Sequence, residues 1–189
     1  MNRFLKSDFF HDFLKAPIAL ISFIVVFTLI LLALFANLIA PTNPFDPASL
    51  NLMNGFTAPM EPNPFTGEIF FMGTDDQGRD LFSAILFGLR VSLFVGLMAV
   101  LLATIIGIFL GLIAGYIGGW LDSFIMRLAD IQMTFPSILI AMLIYGVARG
   151  ILPPELRDEM AISVLILSIG LSEWVSIART VRGSTLVEK

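Results

Sequence analysis

The chain has 189 residues, 57% of them apolar and 14% charged, with a formal net charge of −4, no cysteine and one histidine. This excludes an ordinary soluble domain, because several uncharged runs reach the roughly 20 residues a helix needs to cross a bilayer. It also excludes a disulfide framework, a thiol metal site and, with His11 alone, a histidine metal cluster; no basic patch offers itself to nucleic acid. The expected fold class is an all-α polytopic membrane protein with four transmembrane helices.

Residues 1–16 read as a cytoplasmic interfacial segment. Phe4, Leu5, Phe9, Phe10, Phe13 and Leu14 recur at helical spacing among Arg3, Lys6, Asp8, Asp12 and Lys15, as in a helix lying in the headgroup plane. His11 sits at headgroup level in that reading. Residues 17–40 form the first span (TM1). It is too long for the roughly 7–15-residue core of a signal peptide and runs directly into Pro41, so it reads as a retained anchor.

Residues 41–90 are expected to be a periplasmic loop and an entry helix. Prolines 41, 44, 47, 59, 62 and 64 break any long helix. Asn-Pro-Phe occurs at Asn43 and Asn63 and predicts two turns of similar chemistry, and short strands are expected around Glu68–Met72. Gly73, Thr74, Asp75 and Asp76 then favour a turn and a helix start. From Leu81 the pattern is apolar, and Arg90 is the last charge before the longest uncharged run. A calcium loop at Asp75–Asp80 is rejected, because the alternating oxygen ligands and closing glutamate are missing.

TM2, about 91–117, carries Ala99, Ala103, Gly107, Gly111 and Gly115, a small residue at every fourth position. In lipid such a face lets a second helix approach closely. Internal packing is the preferred reading; a seam to a moving partner helix is the alternative. Gly118-Gly119 ends the span, and Asp122, Arg127 and Asp130 follow. Arg127 and Asp130 have the spacing of a local pair. TM3, about 128–148, contains Pro136, which predicts a kink. TM4, about 160–178, is interrupted by Glu173. A carboxylate in a span is a functional candidate by default, but Arg179, less than two turns away, is a ready partner. Thr104, Gln132 and Thr134 face either a solute path or a neighbouring helix, and Arg179 and Arg182 share one helix face.

With the N-terminus inside, inner segments hold Arg3, Lys6, Lys15, Arg127, Arg179, Arg182 and Lys189, seven cations. The outer segments hold Arg79, Arg90, Arg149 and Arg157, four. Seven against four predicts a cytoplasmic N-terminus. None of the three lysines lies in a phosphate-binding glycine loop, and one histidine leaves every serine unactivated. The chain is therefore read as no enzyme, with no catalytic, cofactor-binding or metal residue.

Three stretches carry a resemblance. The first, GTDxxGRDxxSxxxxGxRxSLxxG, is written here as Gly73-Thr74-Asp75, Gly78-Arg79-Asp80, Ser83, Gly88, Arg90, Ser92-Leu93 and Gly96; Ala84 departs from an arginine common there. The second, GYxGGxxDxxxMRxxDxxxxFPSxLxA, runs from Gly115 to Ala141, and the third, WxxxARxVRGxxL, from Trp174 to Leu186. Together they resemble the inner-membrane permease subunits of bacterial ABC importers for peptides and nickel, and are similar to the second permease of dipeptide or oligopeptide systems. The resemblance implies a type I importer permease fold with six spans. Four of these are expected here, residues 91–189 forming a permease core truncated before the cytoplasmic coupling loop. It marks Gly73, Thr74, Asp75, Gly78, Arg79, Asp80, Arg90, Asp122, Arg127, Asp130, Pro136, Arg179 and Arg182 as signature and possible interface positions. It further implies a multi-pass protein of the bacterial inner membrane. The implied partners are a homologous second permease, a periplasmic substrate-binding protein docking on the loop, and two ATP-binding subunits that hold ATP and Mg²⁺. Peptide import is the implied activity. Nickel or another small solute is the alternative, and a secondary transporter or channel, for which only Glu173 offers an ionisable group, is less favoured.

Overall fold

The computed structural model describes residues 13 and 15–189. Among these, six α-helices follow in order: α1 Pro17–Leu34, α2 Ala36–Ile39, α3 Leu81–Ile117, α4 Gly119–Met133, α5 Ser137–Ile151 and α6 Pro154–Glu188. The chain divides into two compact units, Met1–Leu93 and Phe94–Lys189, and the boundary lies inside α3.

In the first unit, α1 begins with Pro17 at its first turn, where the missing N–H costs nothing. Its side chains are exposed nearly all round, Ala33 being buried, as suits a helix whose solvent is lipid. The loop from 41 to 80 is built from turns. Asp46 and Asn51 cap short 3₁₀ turns by accepting the Ala48 and Met53 N–H groups at 2.9 and 3.1 Å. Both Asn-Pro-Phe stretches form the same turn, the asparagine Oδ1 accepting the phenylalanine N–H at 3.1 Å (Asn43) and 2.7 Å (Asn63). The strands expected near 68–72 are reduced to an isolated bridge between Pro62 and Ile69. Pro59, Pro62 and Pro64 lack donors, so pairing stops at Met60 N–H to Phe70 O and Asn63 N–H to Glu68 O, each 2.8 Å.

In the second unit, α3 and α6 run parallel. A Cβ at Gly107 would stand 2.7 Å from Ile177, one at Gly111 2.6 Å from the Ala178 carbonyl, and one at Gly115 2.7 Å from Thr185. Four residues along α3 thus match four along α6 at every rung. Helix α4 runs the other way along α6: Asp122 meets Arg182, Asp130 meets Arg179 and Gln132 meets Leu171 and Ser172. Helix α5 also runs against α6, because the link through Leu152 and Pro153 is short and places Tyr145 and Arg149 beside Arg157 and Ala161. Two parallel helices need a return pass between them, and α4 with α5 supplies it.

Helices α1, α3 and the Met160–Glu188 part of α6 are each long and apolar enough to cross a membrane, and α4 with α5 passes the same test as a pair bent by 92°. Where a kink was expected at Pro136, the helix is broken. Pro136 adopts φ −55° and ψ 130° outside the first turn of α5, and Phe135 before it closes a turn onto Gln132 O at 3.2 Å. A residue preceding proline is pushed away from helical geometry, which ends α4 there.

Candidate functional site

The signature residues of the first unit form one turn that joins the loop to α3. Gly73 and Gly78 have φ of +77° and +75°, a region in which side chains are strained. Space forbids any Cβ as well: it would stand 2.5 Å from Thr57 O at Gly73 and 2.1 Å from Asn51 O at Gly78. Between them, the Thr74 hydroxyl accepts the Thr57 N–H at 2.9 Å and donates to Asn54 O. Asp75 Oδ1 accepts the N–H groups of Gln77 and Arg79 at 2.9 Å each, and Oδ2 accepts Arg79 Nε at 2.7 Å. Burial pushes the Asp75 carboxyl up, but the Arg79 and Gln77 N–H groups and the Arg79 guanidinium together hold it below the ordinary aspartate value.

Asp80 is buried and caps α3. Its Oδ2 accepts the Ser83 N–H at 3.0 Å, at the third helical position, and the Ser83 hydroxyl at 2.5 Å. Ser83 Oγ accepts the Thr42 N–H at 3.3 Å, fastening the start of the loop to the start of the helix. Arg90 is exposed and donates to Asn37 Oδ1 at 3.3 Å. Thus the Gly73–Asp80 signature is spent on folding the junction.

The residues beneath it carry no signal in the sequence. Asn54, Thr57 and Asn63 are buried; Asn63 Nδ2 donates to Met53 O at 3.0 Å and to Thr57 Oγ1 at 2.7 Å, and Thr57 Oγ1 donates to Asn54 O at 2.7 Å. Asn and Thr among prolines look like exposed loop residues. Only the three-dimensional path of the loop makes them interior, and once interior they must be hydrogen-bonded.

In the second unit the polar signature residues link α4 to α6. Arg182 holds Asp122 through two bonds, Nε to Oδ1 at 2.5 Å and Nη2 to Oδ2 at 2.6 Å, the fork-to-fork geometry specific to arginine. Arg179 pairs with Asp130. The local Arg127–Asp130 pair is not formed: Asp130 is taken by α6, and Arg127 is exposed without an ion pair among the described residues. Arg179 is likewise unavailable to Glu173, which is exposed.

Gln132 secures the break. Its Nε2 donates to Leu171 O at 2.8 Å and Ser172 O at 3.0 Å, and its Oε1 accepts the Trp174 indole N–H at 2.8 Å. Of the two readings for this side chain, the structure supports bonding to a neighbouring helix. Thr134 turns back onto Asp130 O and Ile131 O of its own helix at 3.2 and 2.5 Å. Ala99, Ala103 and Ala114 are buried on α3, and Gly107, Gly111 and Gly115 meet α6 of the same chain.

The two ion pairs predict unequal effects. Asp122 and Arg182 are 18% and 32% exposed, Asp130 and Arg179 66% and 41%. Arg182→Ala strands a mostly buried carboxylate and is expected to cost about 1–3 kcal/mol, between the surface and buried limits. Arg179→Ala is expected to cost less than about 1 kcal/mol. Thermal unfolding of the two detergent-solubilised variants checks the order, and equal losses would refute it.

Comparison of the sequence with known proteins gives the family. Residues 107–186 match the family described as binding-protein-dependent transport system inner membrane component. Residues 5–59 match the N-terminal TM domain of oligopeptide transport permease C. The chain belongs to this permease family. It is 33% identical to the oligopeptide transport system permease protein OppC of Bacillus subtilis over 182 residues, which cover 96% of the chain and 53% of the relative. Identity to the glutathione transport system permease protein GsiD of Salmonella typhimurium is 38% over 185 residues, 96% of the chain and 54% of the relative. To the dipeptide transport system permease protein DppC of Escherichia coli K12 it is 41% over 141 residues, 75% and 46%. The chain spans about half the length of these curated relatives. In this permease the second matched region begins at Gly107 and takes in the α3–α6 seam, both ion pairs and the α4–α5 break.

Proposed function

We propose that this permease is one half of the membrane path of an ATP-driven importer for short peptides. The carrying observation is the match of residues 107–186 to a family whose members work with a binding protein, joined to relatives named for oligopeptides, glutathione and dipeptides. A homologous permease completes the path. Two separate subunits bind ATP and Mg²⁺, since this sequence carries no phosphate-binding loop of its own. The charge asymmetry of seven inner against four outer cations supports a cytoplasmic N-terminus in the bacterial inner membrane. The loop from 41 to 80 then faces the periplasm, where the binding protein docks.

Alternating access follows from the two permeases rocking as the ATPases close. The parallel α3–α6 pair, its return pass and its two ion pairs support a core that moves as one body, because three glycine rungs and a forked arginine resist shear.

The test is native mass spectrometry of the complex extracted through a tag on this chain, together with uptake of a radiolabelled dipeptide. A second permease and two nucleotide-binding subunits, with uptake abolished by ATP depletion, are expected. A homo-oligomer, or uptake that survives ATP depletion and follows the proton gradient, would overturn the proposal.

A further inference from the structure

Beside the α4–α5 break lies a cleft of about 300 Å³, lined by Gln132, Phe135, Pro136 and Ile140 from the break and by Glu173 and Ser176 from α6. Its size is at the lower end of small-ligand sites, and broken helices are where membrane transporters bring polar groups to a solute. Two of the polar groups lining it are already used. The Gln132 amide is engaged through both its nitrogen and its oxygen, and the Ser172 hydroxyl, also in the lining, donates to Ser168 O at 2.8 Å. Glu173 is different. It is exposed, it lines the cleft, it lies within the Met160–Glu188 candidate span, and it has no ion pair or hydrogen bond among the described residues. A lone carboxylate at such a position is expensive unless a cation meets it.

We propose that Glu173 and this cleft form a solute contact for the ammonium group of the transported peptide. Resting on the importer reading above, the assignment adds a specific contact to it. The carboxylate accepts the charged amino terminus, and the walls from Phe135, Pro136 and Ile140 accept a small apolar side chain beside it. Gln132 is a positioning residue. By tying the end of α4 to two α6 carbonyls, it holds the broken segment opposite Glu173.

The experiment compares Glu173→Gln and Glu173→Asp with the wild-type chain in the assembled transporter, using radiolabelled Ala-Ala and its N-acetyl derivative. The expected result is a fall of roughly tenfold in Ala-Ala uptake per assembled complex for Glu173→Gln, the scale of one lost charge-assisted contact. Glu173→Asp keeps most of the uptake, subunit composition is unchanged, and the acetylated peptide moves no more slowly than in the wild type. Unchanged Ala-Ala uptake in Glu173→Gln overturns the contact. Equal losses for both peptides, or a complex that no longer assembles, also overturn it and assign the carboxylate to a basic side chain of a neighbouring subunit. If the wild-type assembly imports neither peptide, the importer reading itself fails, an outcome distinct from the other two.

Discussion

Replacing Gly78 by alanine is expected to remove folded protein from the membrane. Its φ of +75° alone makes a side chain costly, by about 1–2 kcal/mol. The larger penalty is steric, since a Cβ would stand 2.1 Å from the carbonyl oxygen of Asn51. That atom is backbone, in the residue that caps the 3₁₀ turn Leu52–Asn54, and it accepts the Asn54 N–H at 2.9 Å. It cannot move without opening the turn and the hydrogen bonds of Asn54 behind it. Together the two effects place the loss at about 4 kcal/mol or more, in the range of the most damaging single substitutions. Gly67→Ala is the control: φ is +74°, but a Cβ there meets nothing within 4 Å, so the conformational cost of about 1–2 kcal/mol remains alone. Membrane abundance and thermal unfolding of the two variants separate strain from clash. If Gly67→Ala proved as harmful as Gly78→Ala, the clash would carry no weight.

The second large effect is expected at Gly111. A Cβ there would lie 2.6 Å from Ala178 O and 2.8 Å from Val181 Cβ, so Gly111→Ala pushes two long helices apart over several rungs. Overpacking of this kind costs about 1–3 kcal/mol. In a membrane no hydrophobic gain offsets it, because lipid is as apolar as the lost contact. Gly96 lies on the same helix with nothing within 4 Å, and Gly96→Ala is expected to be neutral or slightly stabilising through helix propensity. Gly111→Ala should therefore lower the unfolding temperature of the purified protein while Gly96→Ala does not. The reverse order would show that α3 meets α6 along another face.

The two predictions differ in how much of each was legible beforehand. The four-residue spacing from Ala99 to Gly115 announced a close helix contact, because periodicity survives in one dimension. The partner did not show. Nothing in the α6 stretch distinguishes Ile177 or Thr185 from residues facing lipid, and the identity of a neighbouring helix is a long-range fact. The same holds for charge. Arg127 and Asp130 have the spacing of a local pair, but Arg179 arrives from 49 residues away and takes the carboxylate. A rule about neighbours on one helix cannot see a competitor on another.

Composition alone determined that this is a helical membrane protein. Uncharged length fixes the number of residues able to cross a bilayer, and prolines fix where helices cannot continue. The motifs at Gly73–Asp80, Gly115–Ala141 and Trp174–Leu186 determined the permease family, since that many residues in register are specific. Tertiary structure decided what those residues do. It turned the Gly73–Asp80 signature inward to build a helix cap, made Asn54, Thr57 and Asn63 interior, and replaced the expected kink at Pro136 with a break held by Gln132. It also took Arg179 from Glu173, leaving that carboxylate facing a cleft. In each case the reason is the same: a buried polar group or a glycine takes its role from whatever the fold brings within about 3 Å, and that distance is not written along the chain.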